Sequence, residues 1–281
     1  MNYRVGTIGF SYADWKPAFY PPATRSGDFL AAYAQVFDTL ELDTTFHAIP
    51  PADRVAKWAA ATPPGFTFCP KTPKQITHEN PLAFAAPVMR QFLRALAPMH
   101  TAGKLGPILI QFPPALTVAD FDNVARFLKD LPPDHRYAVE FRNHTWQTDS
   151  TAGLLADHRC ALVAADYAGQ DGSGPAPPTP FPIRLTTDFL YLRFIGVHQQ
   201  FSPLDHERVD MTPRLTWWLE HIRLAIAEAP FTGSPGPTEI FALFNNDFAG
   251  HAPATANRFR QLVGQAPRTL AAPPPAQQSL F

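Results

Sequence analysis

Acidic and basic side chains recur near the carboxyl ends of the β-rich runs in this sequence. The second run ends with Glu41 and Asp43, the third with Lys71, and the fifth with Glu140 and Arg142. Carboxylates beside cations stabilise each other when they are removed from water, and such clusters shift pKa values and hold anionic or polyhydroxy ligands. We therefore predict Glu41 and Glu140 as general acid/base residues, with Lys71 as a third catalytic candidate.

The predicted ligand contacts come from the same runs and from the loops that follow them. They are Asp43, His47, His78, Gln111, Arg142, Asp166, Arg193 and Asn245, with the aromatic rings of Tyr12, Trp15, Phe46 and Trp146. The cations would bind anionic groups, and the rings could stack on a sugar or a base. Two structural alternatives stay open: the charges could form an ion-pair network that closes the fold, and the rings could fill its rim.

Other kinds of catalytic site have weaker support. The sequence contains no G-x-S-x-G, Walker or G-x-G-x-x-G motif, which argues against serine chemistry and a nucleotide cofactor. A divalent metal could be held by Glu41, Glu140, Asp166 and nearby histidines, but no established ligand spacing is present, so the cofactor stays unknown. Lys71 could form a Schiff base, yet neighbouring carboxylates are expected to keep it protonated, which favours a salt bridge.

Composition limits the class of protein. The chain has 281 residues, 46% of them hydrophobic, with 23 Lys and Arg against 24 Asp and Glu. This balance provides no general basic surface for nucleic acid. The two cysteines, Cys69 and Cys160, lie in apolar runs, which excludes a disulfide-stapled scaffold. Because no signal-peptide pattern and no run of about 18 apolar residues occur, we expect a cytoplasmic protein without membrane contact.

The elements that would position these residues alternate between β-rich runs and helical patterns, as in repeated βα units. The eight predicted strands are Arg4–Gly9, Thr39–Asp43, Phe66–Lys71, Pro107–Phe112, Tyr137–Arg142, Ala161–Asp166, Phe189–Ile195 and Glu239–Asn245. Helical spacing is predicted over Asp53–Ala61, Phe84–Met99, Ala119–Leu131, Thr151–His158 and Thr255–Val263. Apolar residues also recur at intervals of three and four at Phe29, Leu30, Tyr33, Val36, Phe37 and Leu40, and at Leu215, Trp218, Leu219, Ile222 and Ile226. This α/β pattern predicts a (β/α)8 TIM-type barrel, and a doubly wound sheet with fewer strands is the alternative.

Strand periodicity places the polar residues on one face. Leu40 and Leu42 share one side of the second strand, whereas Glu41 and Asp43 share the other. The same alternation separates polar from apolar residues on five strands, and the polar member falls near the carboxyl end each time. Barrel enzymes place their catalytic groups at that end, so we predict the site there.

The predicted domain organisation is one barrel with an appended segment. Residues 1–266 are predicted to form the barrel, and residues 267–281 a disordered Pro-rich tail. The stretch Gly169–Pro182 lacks helical periodicity, so the sixth connection is predicted to be an irregular loop.

The end of the tail, QQSLF, resembles the Q-x-[SD]-L-F peptide by which bacterial replication and repair proteins bind the sliding clamp. In such a complex, Gln277 would form hydrogen bonds while Leu280 and Phe281 fill an apolar pocket. The same two apolar residues could instead pack on the barrel.

Seven ordered motifs resemble the YecE-like family, the domain of unknown function numbered 72. They are GTIGFSYADW (6–15), LELDTTFH (40–47), FCPKTPKQITH (68–78), LGPILIQFPP (105–114), AVEFRNHTW (138–146), YLRFIG (191–196) and FNNDFAG (244–250). The resemblance implies a TIM-type barrel whose pocket would contain Glu41, Lys71, Gln111, Glu140, Arg142, Arg193 and Asn245. It implies no settled reaction. The family usually has Asn at the position of Asp43 and Tyr at that of His47.

Two functional hypotheses follow from the site and the tail. The first is an enzyme of hydrolase or lyase type that acts on an anionic, sugar- or phosphate-bearing ligand, with a link to DNA through the tail. The second is a non-catalytic module that binds a small ligand or the sliding clamp. Turnover that survives deletion of the tail would distinguish the first from the second.

Overall fold

The computed structural model describes residues 1–80, 82–167, 183–232 and 236–270. The strands are β1 (Asn2–Ile8), β2 (Thr39–Leu42), β3 (Thr67–Pro70), β4 (Ile108–Phe112), β5 (Tyr137–Phe141), β6 (Cys160–Leu162), β7 (Ala164–Asp166), β8 (Phe189–Phe194) and β9 (Glu239–Phe244). The helices are α1 (Phe29–Val36), α2 (Thr44–His47), α3 (Ala52–Ala60), α4 (Ala85–Thr101), α5 (Phe121–Lys129), α6 (Asp149–Asp157), α7 (Thr212–Thr232) and α8 (Ala252–Leu262).

The strands pair in parallel around a barrel. A six-stranded sheet has the order β3-β2-β1-β9-β8-β7, and a three-stranded sheet has the order β4-β5-β6. Single bridges from Phe68 to Leu105 and from Lys71 to Leu109 join the two sheets on one side. On the other side, β6 and β7 are consecutive parts of one strand. The circle therefore closes over eight strand positions, which confirms the predicted TIM-type barrel.

Several predicted boundaries differ from the structure. The sixth strand is interrupted at Val163, because its first part pairs with β5 and its second with β8. The first helix ends at Val36 rather than continuing to Leu40, since Phe37 is extended and leads into β2. The last helix begins at Ala252, before the predicted start, with a proline in its first turn, where the missing N–H costs nothing.

The strands are buried on both faces, as expected for a parallel sheet covered by helices. Inward-facing residues such as Ile8, Leu109 and Phe241 fill the barrel interior. Outward-facing residues pack against the helices; the ring of Phe112 on β4, for example, lies 6.2 Å from that of Phe127 on α5. The alternation predicted from the sequence therefore matches the two layers of the core.

The close approach of strands β1 and β2 explains why Gly6 is a glycine. A Cβ at Gly6 of β1 would lie 2.0 Å from the carbonyl oxygen of Thr39 on β2. Any side chain here would separate strands that pair in register, so the position requires glycine.

The described chain after α8 returns along the outside of the barrel. Asn257 and Arg268 exchange hydrogen bonds, and Arg268 forms an ion pair with Asp38 at 2.7 Å. Leu270 packs on the core. Residues 267–270 were predicted to start a free tail, but these contacts attach them to the barrel.

Two predicted features lie outside the described residues, namely the irregular sixth connection at Gly169–Pro182 and the clamp-binding residues Gln277, Leu280 and Phe281. Within the parts of the chain that the structure does describe, no helix is both long enough and apolar enough to span a bilayer.

Candidate active site

Arg193 occupies the centre of the barrel near the carboxyl ends of the strands. Its Nε and Nη2 donate to the two oxygens of Glu41 at 3.0 and 2.7 Å, and its Nη1 donates to Oε2 of Glu140 at 2.5 Å. The three side chains are 4, 0 and 1% exposed, respectively. One guanidinium therefore satisfies two buried carboxylates from β2 and β5, with the fork geometry that arginine provides.

Tyr191 extends this network one layer deeper. Its hydroxyl donates to Oε2 of Glu41 at 2.9 Å, from the same strand as Arg193. Burial and the neighbouring Glu41 raise the pKa of Tyr191 well above its ordinary value, so it stays a hydrogen-bond donor. It was not among the predicted site residues, although its position two residues before Arg193 places it on the inward face.

The two carboxylates have opposite pKa shifts. Burial raises the pKa of Glu41, and Arg193 opposes this only in part. Burial acts in the same direction on Glu140, but Arg142 and Arg193 outweigh it and lower the pKa of that carboxyl. Pairs of groups whose surroundings separate their pKa values are typical of acid/base sites.

Lys71, Asp43 and Arg142 border the opening at the carboxyl end of the barrel, which we call the mouth. The Nζ of Lys71 lies 3.3 Å from Oδ1 of Asp43 and 4.0 Å from the centre of the Phe46 ring. Burial lowers the pKa of Lys71, Asp43 opposes the shift, and Arg193 reinforces it. Burial therefore outweighs the carboxylates in the direction of this shift, and the salt bridge with Asp43 that the sequence favoured is present.

Arg142 is the second cation of the mouth. Its Nε contacts Oε1 of Glu140 as an ion pair without the alignment of a hydrogen bond. Its guanidinium lies 4.3 Å from the ring centre of Tyr167, and its side chain is 19% exposed. Among the described residues, nothing accepts a hydrogen bond from its Nη atoms, which leaves them available to a ligand.

The other predicted ligand contacts differ in how exposed they are to solvent. Gln111 is buried and donates from Nε2 to the carbonyl oxygen of Phe112 at 2.9 Å. The side chain of Asn245 accepts a hydrogen bond from the backbone N–H of the residue two positions later. His47 and His78 are exposed and pack edge-on against Phe46. Burial, with help from Lys71, lowers the pKa of His78, which favours its neutral form.

Three predicted ligand contacts do not fit the structure. Asp166 points away from the barrel axis, because Arg214 and Trp218 of α7 donate to its carboxylate at 2.5 and 2.7 Å. Trp15 and Trp146 are fully buried. Their indole N–H groups donate to Oδ1 of Asn246 and to the carbonyl oxygen of Leu116, so these rings fill the rim.

Tyr12 and Asp247 complete the mouth on the β1 and β9 side. The Tyr12 hydroxyl donates to the carbonyl oxygen of Ile8 at 3.3 Å. Burial, followed by the charges of Asp43 and Asp247, raises the pKa of Tyr12 to about 12. Asp247 was not predicted. Its signals in the sequence are its place after the last strand and within the FNNDFAG motif (244–250).

Metal-binding capacity was left open by the sequence. In the described ranges, no three His, Cys, Asp or Glu side chains come together as the ligands of a metal ion would. Glu41, Glu140 and Asp166, the carboxylates considered for that role, are instead bound by Arg193, Arg142 and Arg214.

Residues 4–279 match the family described as protein of unknown function DUF72. The chain belongs to the DUF72 family. It is 35% identical over 292 aligned positions to the UPF0759 protein YunF of Bacillus subtilis. This alignment covers 95% of this chain and 98% of YunF. The UPF0759 protein YecE of Escherichia coli K12 is 31% identical over 183 positions, 59% of this chain and 66% of YecE.

Solved structures of DUF72 proteins share the fold. A family member from Thermotoga maritima has a TM-score of 0.74 and 26% identity, covering 94% of this chain and all of the other (100%). Another, from Enterococcus faecalis, has a TM-score of 0.68 and 23% identity, covering 94% of this chain and 98% of the other. These similarities establish the family and the barrel, but no specific function.

Proposed function

We propose that the mouth of this DUF72 barrel binds a small anionic polyhydroxy ligand, such as a sugar phosphate. We further propose that the protein is an enzyme of hydrolase or lyase type that uses acid/base catalysis at this site. The observation that carries this proposal is the placement of two cations, Lys71 and Arg142, around a buried network of opposite charges. Arg193 lies behind them, and its three hydrogen bonds to Glu41 and Glu140 hold the network rigid.

An ion-pair network with a purely closing role would pair each cation fully. In the mouth, Lys71 has one carboxylate at 3.3 Å, and that carboxylate, Asp43, is 42% exposed. Arg142 shares Glu140 with Arg193, and its Nη atoms donate to no acceptor within the described ranges 1–80, 82–167, 183–232 and 236–270. Unused donors on a preorganised guanidinium favour a phosphate or carboxylate ligand.

The three catalytic candidates differ in how a ligand could reach them. Glu41 and Glu140 are fully buried and bound by Arg193, so a ligand would not contact them and they position the cations instead. Lys71 is largely buried but borders the mouth, and burial lowers its pKa, which brings it closer to a group that exchanges protons. We therefore assign acid/base contact with the ligand to Lys71 and a positioning role to the two glutamates.

Calorimetric titration with glycerol 3-phosphate tests the binding step. We expect saturable binding that Arg142→Ala weakens by roughly tenfold or more, because a charge-assisted hydrogen bond is lost. Arg25→Ala is the matched control, since Arg25 is an exposed arginine paired with a single aspartate. Equal binding by the two variants, or no binding by the native chain, would overturn the proposal.

A second candidate function rests on the C-terminal sequence motif. The pattern Gln277, Leu280 and Phe281 favours docking on a bacterial sliding clamp, which would link the barrel to DNA replication or repair. Surface plasmon resonance of the full chain on immobilised clamp tests this role. We expect micromolar affinity that the double substitution Leu280→Ala/Phe281→Ala abolishes, and unchanged affinity would contradict it.

A further inference from the structure

We propose that Lys71 forms an imine with the carbonyl carbon of a ligand that also carries an anionic group, as an open-chain sugar phosphate does. This inference rests on the proposed function, because Arg142 is the group that would hold the anion. It narrows the ligand class from anionic polyhydroxy compounds to anionic aldehydes and ketones, and it gives Lys71 a covalent role.

Lys71 is free to act as a nucleophile in a way that a second buried lysine is not. The Nζ of Lys104 donates to the carbonyl oxygens of Ala59 and Thr62 at 2.6 and 2.5 Å, which fixes it as a structural link. The Nζ of Lys71 makes no hydrogen bond to any described residue and faces one carboxylate at 3.3 Å. Once the Lys71 ammonium loses a proton, the nitrogen lone pair is therefore available to attack a carbonyl carbon.

Burial increases the fraction of Lys71 present as the neutral amine. The side chain is 10% exposed, and its removal from water outweighs the carboxylates of Asp43, Glu41 and Glu140, which favour the ammonium form. The Phe46 ring at 4.0 Å excludes water from one side of the nitrogen, although as a cation–π partner it also favours the ammonium form. Arg193 adds a positive charge nearby that cannot itself be neutralised. Removal from water and a neighbouring cation are the two conditions that activate lysines for imine formation in enzymes.

Asp43 is placed to move the protons of the reaction. Its carboxylate accepts one proton from the Lys71 ammonium, the neutral nitrogen adds to the carbonyl carbon, and a second proton passes from that nitrogen to the carbonyl oxygen to give a neutral carbinolamine. The carbinolamine hydroxyl takes the proton held by Asp43 and leaves as water, while the nitrogen lone pair forms the C=N bond. Lysine ammonium and carbonyl thus give a protonated imine and water, Asp43 returns to a carboxylate, and no oxidation state changes.

Reductive trapping tests the imine directly. The full chain is incubated with glyceraldehyde 3-phosphate and cyanoborohydride near pH 7, and the modified lysines are identified by peptide mass spectrometry. We expect Lys71 to be modified at least about tenfold faster than Lys57, because a lowered pKa increases the neutral fraction. Lys57 is the matched control: it is 81% exposed and has an aspartate, Asp53, at 4.0 Å.

Two variants connect the trapping to the geometry. Arg142→Ala should slow modification of Lys71 by glyceraldehyde 3-phosphate but not by uncharged glyceraldehyde. Asp43→Asn should slow the adduct with both aldehydes, because Asp43 is the group that takes up and returns the proton.

The outcomes separate this inference from the proposed function. If glycerol 3-phosphate binds in an Arg142-dependent way but Lys71 is modified no faster than Lys57, the imine is overturned and the binding function stands. If glycerol 3-phosphate does not bind, the proposed function fails, even where Lys71 reacts.

Discussion

The two ends of the barrel carry ion-pair clusters of opposite composition. At the carboxyl ends of the strands, one cation, Arg193, lies between two carboxylates. At the amino ends, one carboxylate, Glu239, lies between Arg4 and Arg136, each at 2.7 Å. The side chains of the first cluster are at most 4% exposed, whereas those of the second are 21 to 37% exposed.

The two clusters differ in how much water reaches their charged groups, and this difference decides what each ion pair contributes. The amino-end charges keep part of their hydration, so their pairing costs little and contributes little, as in most surface ion pairs. The guanidinium of Arg136 also stacks on Phe189 at 4.3 Å, which closes the barrel floor. The carboxyl-end charges have lost their hydration, so each depends on its partners, and any ligand that enters interacts at low dielectric.

The largest expected effect is at the centre of the buried cluster. Arg193→Met leaves Glu41 and Glu140 without their shared cation. Breaking one buried pair costs about 3–5 kcal/mol, so with two carboxylates affected the free energy of unfolding should fall by about 5 kcal/mol. Urea denaturation at pH 7 measures the loss, and Arg193→Lys, which keeps the charge without the fork, should lose less. If Arg193→Met lowered the free energy of unfolding only as much as Arg4→Met does, the proposed contrast between the two ends of the barrel would be contradicted.

The opposite pKa shifts predict opposite pH dependence for two glutamine substitutions. The lowered pKa of Glu140 stabilises the fold above the unfolded-state pKa of about 4.3, and this contribution disappears as the pH falls through the folded-state pKa. Glu140→Gln should therefore cost roughly 2–5 kcal/mol at pH 7 and less at pH 4.

The raised pKa of Glu41 has the reverse consequence. Its favourable contribution is complete below the unfolded-state pKa and is lost as the pH rises through the folded-state pKa. Glu41→Gln should therefore cost more at pH 4 than at pH 7. Urea denaturation of both variants at pH 4, 5, 6 and 7 provides the comparison, and parallel pH dependences would contradict the assigned directions.

A smaller effect is expected one layer below. Tyr191→Phe removes the hydroxyl that donates to Glu41 at 2.9 Å and leaves the ring in place. A hydrogen bond to a charged group contributes about 1.5–3 kcal/mol, so the variant should lose stability within that range. Tyr137→Phe is the control, because that hydroxyl donates to a backbone carbonyl at 3.1 Å. An equal loss in both variants would show that Glu41 adds nothing beyond an ordinary acceptor.

The smallest effect is expected at the amino end. Glu239→Gln should lower the free energy of unfolding by less than about 1 kcal/mol, since its two partners are partly hydrated. The loss should shrink further in 1 M salt, where charges are screened within about 3 Å. Thermal unfolding at low and high salt measures both, and a salt-independent loss would indicate that this cluster is as dehydrated as the other.

Much of the fold could be predicted because local patterns and burial agree. Alternation within Thr39–Asp43 and Tyr137–Arg142 placed Glu41 and Glu140 inside the barrel, and the structure finds both there. Asp166 was predicted at the mouth because it ends the sixth strand, but a position at the end of a strand does not specify the face, and its side chain points towards α7. Alternation continues through the interruption at Val163: Ala161, Val163 and Ala165 face the interior, whereas Leu162 and Ala164, like Asp166, face the helices.

The sequence by itself determined the eight-strand pattern, the inward face of each regular strand, and the concentration of charge at the carboxyl ends. These depend on periods of two and of three to four residues, which are local properties. Tertiary structure alone decided which charges are dehydrated, that Arg193 binds two glutamates at once, and that burial lowers the pKa of Lys71. Those outcomes depend on distances between residues from different strands and on the exclusion of water, which no single segment of the chain encodes.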